Sequence, residues 1–241
     1  MTKRHSPEPR AQSPAPEVHS REPSLRGQAA SPPRVFLLSP ANCSGRRAQV
    51  LLSPDASFDL ARRLQTRHGA PLGEVFSFVS GLYFRGKLAY ARRFARPPDP
   101  ADPVTGGGVL VITPNAGLRS ADTRVTIASF RAFADARIDV AQLAYRRPLE
   151  RAARALGSAV GEECEVVLLG SIASGKYVDL LLPIFGARLV FPPHFVGRGD
   201  MSRGGLMLRC VTAGLELDYV PIAGAVRHGP RPPKLEPRRS R

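Results

Sequence analysis

The chain has 241 residues, of which 43% are hydrophobic and 23% charged, and 35 Lys and Arg against 20 Asp and Glu give a formal net charge of +15. No run approaches the roughly 18 apolar residues of a membrane helix, and no apolar h-region follows the N-terminus, so neither a membrane span nor a signal peptide is expected and a cytoplasmic location is. The three cysteines, Cys43, Cys164 and Cys210, form no CxxC pair, and the five histidines fall at no ligand spacing, so no disulfide framework, metal or cofactor is expected.

Residues 1–33 hold seven prolines among Ser, Glu and Arg, with a net charge of +2. Such a stretch buries too little apolar surface to offset its ordering entropy, and a disordered Pro/Ser-rich tail is expected. Residues 227–241 read the same way with a net +5, as a disordered basic tail. Residues 34–226, at net +8, are expected to form a single α/β domain.

Within that domain, Val35 to Leu38 is a short apolar run ended by Ser39-Pro40, as in a buried strand. Asp55 to Arg67 has helical spacing, with Phe58, Ala61 and Leu64 on one face. Gly81 to Arg96 carries the stripe Phe84, Leu88, Ala91, Ala95, a second helix. Residues 97–108 read as a loop and Val109 to Ile112 as a strand. Tyr145 to Val160 predicts a helix beginning near Pro148, and Val166 to Leu169 a third strand. Tyr177 to Phe185 predicts a helix, Arg188 to Phe191 a fourth strand, and Met201 to Val211 a last helix. Apolar runs alternating with amphipathic helices predict βαβ units: a mostly parallel sheet of about four or five strands flanked by helices.

In a parallel sheet the loops leaving the strands share one rim, and ligands bind there. Four polar, glycine-bearing loops follow the predicted strands: SPANCSGRR (39–47), TPNAGLR (113–119), GSIASGKY (170–177) and PPHFVGRGDMSRGG (192–205). They supply Asn42, Ser44, Asn115, Ser171, Ser174, Lys176, Arg198 and Arg203 as candidate ligand-binding residues. Gly, Pro and Asn also serve ordinary turns, so the common rim is what favours a site.

The segment 170–176 satisfies G-x-x-x-x-G-K between a strand and a helix. Tyr177 stands where a phosphate loop needs Ser or Thr for magnesium, which argues against a nucleotide hydrolase. The simpler expectation is that Ser174 caps the helix, whose N-terminus and Lys176 form a local anion site. In the 192–205 loop, Gly197, Gly199, Gly204 and Gly205 would let backbone approach a ligand, and Arg198 and Arg203 would grip a phosphate or carboxylate. Asp200 reads first as a helix N-cap and second as a catalytic carboxylate. Cys43, after a strand and near a helix start, is the candidate nucleophile, with His194 a conceivable partner. The Arg85, Arg92, Arg96 and Arg147, Arg151, Arg154 stripes read as solvated faces.

Leu37-Leu38-Ser39 with Cys43-Ser44, the stretch SGLYFRGKLAYA (80–91), Val111-Ile112 with Gly117-Leu118, and Gly170 with Lys176-Tyr177-Val178-Asp179 together resemble the YaaA-like peroxide-stress proteins and the related domain appended to archaeosine synthases. The resemblance covers most of residues 35–190 and implies an α/β fold linked to DNA or modified-base biology, without a reaction to carry over. The GRGDMSRGG stretch has no counterpart in it.

The leading expectation is therefore a nucleotide- or nucleic-acid-binding α/β protein, its partner held through phosphate or base at the rim. The alternatives are a hydrolase or glycosidase acting through Asp200 or Cys43, and a non-catalytic interaction protein with an Arg-rich surface. Oligomeric state is not readable from these residues.

Overall fold

The computed structural model describes residues 32–233 and residue 235. The tail expected over residues 1–33 therefore lies outside the described residues except for Pro32 and Pro33, as do residues 234 and 236–241 of the C-terminal one.

The chain runs β1 (Arg34–Leu38), α1 (Arg46–Leu52), α2 (Asp59–Gln65), β2 (Ala70–Pro71), α3 (Leu72–Ser80), α4 (Leu82–Phe94), β3 (Val109–Ile112), β4 (Leu118–Ser120), β5 (Arg124–Val125), α5 (Ile127–Asp135), α6 (Leu143–Val160), β6 (Glu165–Leu169), α7 (Gly175–Phe185), β7 (Leu189–Phe191), α8 (Asp200–Ala213) and β8 (Val220–Pro221). Six strands form one sheet in the order β4-β3-β1-β6-β7-β8, while β2 and β5 pair separately. The four central strands are parallel, and β4 and β8 add antiparallel edges. The α/β class and mostly parallel sheet agree with expectation; the sheet exceeds the expected four or five strands by its short edges.

Each central strand is buried on both faces, which is why it reads as an unbroken apolar run. Phe36 and Leu38 face one core with Val111, Val167 and Leu169, covered by α1 to α5 and α8. Val35 and Leu37 face the other with Ile112, Val166 and Leu168, covered by α6 and α7. Pro148 does not start α6; it lies inside it, five residues beyond the first turn's Leu143. Among the described residues no helix is long and apolar enough to cross a membrane.

Helices α4 and α8 cross with almost nothing between them. A Cβ on Gly86 would lie 2.7 Å from the Gly204 carbonyl oxygen, and one on Gly204 would lie 2.8 Å from that of Leu82. Gly204 thus serves a helix crossing and not, as its loop suggested, the approach of a ligand. The crossing brings the start of α8 over the end of β1.

Candidate functional site

Strand order fixes where a site can form. From β1 the chain moves to β3 on one side, while β6 and β7 extend the sheet on the other, so the order reverses between β1 and β6. Outside the C-terminal ends of those strands the diverging loops leave a crevice, the place where open α/β sheets bind ligands. Because β1, β3, β6 and β7 are parallel, the four polar loops do leave from one rim.

A cleft of about 410 Å³ opens on that rim, lined by Ala41 to Ser44 after β1, Pro114 after β3, Lys176 at the start of α7, and Phe133 to Ile138 at and just beyond the end of α5. It gathers Asn42, Cys43, Ser44 and Lys176 of the expected residues and adds Arg137 and Asp135, which the sequence did not single out. Asn42 Oδ1 accepts from the Ser44 amide at 3.2 Å and the Ser44 hydroxyl at 2.9 Å, which fixes the turn. Lys176 is exposed; its carbonyl accepts from the buried Tyr145 hydroxyl at 2.8 Å, which pins the start of α7 to α6.

The other candidates lie elsewhere or are otherwise engaged. Asn115 Nδ2 donates to the Ala132 carbonyl at 2.8 Å, tying the turn after β3 to α5. Ser171 Oγ accepts from the Ala173 amide at 3.3 Å. Ser174 occupies the N-cap position of α7, but its side chain makes no capping bond. Asp179, one turn further along α7, folds its carboxylate against Gly175, so that a side chain at position 175 would collide with it. Arg198 lines a separate groove of about 350 Å³ with Gly199, Met201, Ser202 and residues of the C-terminal segment. Its Nε donates to the His194 carbonyl at 3.0 Å.

Cys43 lines the cleft but lacks the activation expected for it. It is 5% exposed, its Sγ donates to the Ala41 carbonyl at 3.5 Å, and burial pushes the thiol up to about 12. Helix α1 begins only at Arg46, and no hydrogen bond joins Cys43 to His194. Asp200 is not the N-cap of α8 but its first residue, with Gly199 at the cap. The carboxylate is exposed and sits where the helix dipole favours it.

Arg203 points inward, into a cluster the sequence did not reveal. Lys87, from the middle of α4, is 1% exposed and donates from Nζ to the Ser39 carbonyl at 2.5 Å and the Ser39 hydroxyl at 2.8 Å. Its ammonium position lies 4.4 Å from the Tyr83 ring centre and 4.8 Å from that of Phe84. Burial brings the amine down to about 7; Asp200 opposes the shift and Arg203 reinforces it. Arg203 Nε donates to the Phe195 carbonyl at 3.1 Å, and Nη1 lies 3.7 Å from Asp200 Oδ1. Tyr83, 7% exposed, has a hydroxyl near Ser39 and Arg203 that completes no well-formed hydrogen bond, and burial raises it to about 12. Tyr177, next to Lys176, is raised to about 12 by burial, with Tyr83 and Asp200 adding to the shift. The start of α7 therefore borders both places: Lys176 lines the cleft, and Tyr177 faces the Lys87 cluster.

The signal for Lys87 was present in the spacing. It lies four residues after Tyr83 and three after Phe84, on the buried face of α4. Lysine on a helix ordinarily reads as solvent-exposed, and only the absence of a polar neighbour on that face marks it. Compared with family models, characterised proteins and solved structures, the chain has no match.

Proposed function

We propose that this chain binds a nucleotide-like anion in the rim cleft, through a phosphate held by Lys176 and Arg137 and a base or sugar seated against Pro114 and Phe133. The observation that carries the reading is the convergence of separate loops on one concave, mostly polar space at the sheet's switch point. Two cations against Asp135 leave that space net positive, which suits an anionic group. Asn42 and Ser44 are exposed and held in a fixed turn, so they need little ordering to meet a ligand. The size of the cleft fits a mononucleotide, or one nucleotide of a strand. The chain's net +15 would draw either toward it. The resemblance to the YaaA-like group points the same way, toward DNA or modified-base metabolism, in the cytoplasm.

A thermal-shift series with mononucleotides, inorganic phosphate and short DNA tests this, because a ligand that binds only the folded chain raises its melting temperature. The wild type responds to at least one phosphate-bearing probe, Lys176→Ala loses the response, and Arg198→Ala keeps it. A response lost in Arg198→Ala and kept in Lys176→Ala moves the site to the other groove and overturns the reading. Response to DNA but not to mononucleotides identifies the nucleic-acid form.

A further inference from the structure

Lys87 is a buried amine whose hydrogen-bond partners are neutral. Among the described residues no Asp or Glu lies within ion-pair distance of it, and both of its hydrogen bonds go to Ser39. A buried ammonium without a counter-charge is costly, so such a lysine is selected against unless its neutral form is useful. Its partner is a serine at the C-terminal end of β1, beside the reversal of strand order. Ser39 is held on two sides. Its amide donates to the Leu169 carbonyl at 3.1 Å, and a Cβ on Gly170 would come within 2.9 Å of the Ser39 Cβ. Close by is the Tyr83 hydroxyl, buried and lacking a well-formed partner, with Arg203 reaching in from α8.

An amine 2.8 Å from a serine hydroxyl, shielded from solvent, is the arrangement that lets lysine act as base for a serine nucleophile. We propose that Ser39 and Lys87 form a nucleophile–base pair for acyl transfer, acting on an ester or activated amide that carries an anionic group.

In the first step neutral Lys87 Nζ takes the hydroxyl proton as Ser39 Oγ bonds to the acyl carbon. The carbonyl π electrons move to oxygen, where Tyr83 and Arg203 can donate to the developing charge. The tetrahedral centre collapses, the leaving group departs with its electron pair, and Lys87 returns the proton to it. Water then attacks the Ser39 ester and gives a proton to Lys87; the second tetrahedral centre collapses by breaking the bond from the acyl carbon to Ser39 Oγ, Lys87 returns the proton to Oγ, and the net change is addition of water across the acyl bond. Ser39 is 5% exposed and directly follows β1, so the acyl group must approach it from the rim at that end of the sheet. The groups facing Lys87 are Ser39 from β1, Tyr83 from α4, and Asp200 and Arg203 from α8. Of these, the amine is the one brought to the neutral range, whereas the Tyr83 hydroxyl is carried well above it, so the pH dependence belongs to Lys87. The pair stands on its own geometry and not on which anion fills the cleft.

The test uses the full chain and a fluorophosphonate, which forms a P–O bond to an activated serine and expels fluoride, read by peptide mass spectrometry. An adduct on Ser39 is expected, forming faster as pH rises from 6 to 8. Ser39→Ala forms no adduct, and Lys87→Met reacts roughly 100-fold more slowly or less, with its fold checked by circular dichroism. No adduct on Ser39 at any pH overturns the proposal, as does labelling of Lys87→Met at the wild-type rate. Should Lys87→Met not fold, the wild-type profile decides, and a rate that stays flat across pH 6 to 8 overturns it equally.

Discussion

Replacing Lys87 by Met should remove a specific pH dependence from the protein's stability. Burial brings the amine from 10.5 to about 7, so the unfolded chain takes its proton below pH 10.5 and the folded chain only below pH 7. Between those values the unfolded chain holds the extra proton, and stability rises with pH. Below pH 7 both states are protonated and the full cost of the buried charge is present. A tenfold difference in proton affinity corresponds to about 1.4 kcal/mol, and integrating the two titrations from pH 7 to 9 gives about 2 kcal/mol. Burial raises Cys43 from 9.0 to about 12 and Tyr83 from 10.0 to about 12, which acts in the opposite sense mainly above pH 9, but both groups are common to the two proteins and cancel in the difference. Urea unfolding of wild type and Lys87→Met at pH 7 and pH 9 isolates the amine. The wild type should gain about 2 kcal/mol more than the variant between the two pH values. Equal increments in both proteins would mean that Lys87 stays charged in the fold, and the reasoning about its neutral form would be wrong.

Three further outcomes follow from other parts of the molecule. Gly86→Ala places a Cβ 2.7 Å from a backbone oxygen of α8; helix propensity returns about 1 kcal/mol but overpacking costs more, for a net loss of about 2 kcal/mol by urea unfolding. Gly205→Ala, whose Cβ would meet only the Leu235 side chain at 3.5 Å, should be neutral or slightly stabilising, and a comparable loss there would refute the crossing argument. Arg34→Met leaves Glu165 and Glu216 without the buried guanidinium that bridges them and should cost about 3 kcal/mol in the same assay, a loss under about 1 kcal/mol contradicting it. In native protein at pH 8, iodoacetamide should modify the partly exposed Cys210 well before Cys43, as read by peptide mapping; early modification of Cys43 would show that its thiol is not held in the neutral form.

The sheet was legible because its central strands are covered on both faces. Val35 to Leu38 and Val109 to Ile112 alternate between two cores, so every position had to be apolar. The edge strands were not legible: Leu118–Ser120 and Val220–Pro221 are too short for a period to show, and one ends in proline. Helix α3 was hidden for another reason: Leu72 to Ser80 is short, starts directly after Pro71, and its polar stripe is limited to Glu74, Ser77 and Ser80. For the site, loops at strand ends were visible by composition, and they led to Asn42, Ser44 and Lys176. How the 192–205 loop divides was not visible, because Arg198 and Arg203 stand on either side of the start of α8. One turns toward the C-terminal segment and the other inward toward Lys87.

What matters most is where a phosphate-bearing ligand settles, and amide chemical-shift mapping during titration with a mononucleotide or inorganic phosphate reads that residue by residue. The largest changes should fall on residues 41–44, 134–138 and 175–177. Changes centred on residues 198–202 and 231–233, or scattered over the arginine-bearing helix faces, would contradict a rim site at the switch between β1 and β6.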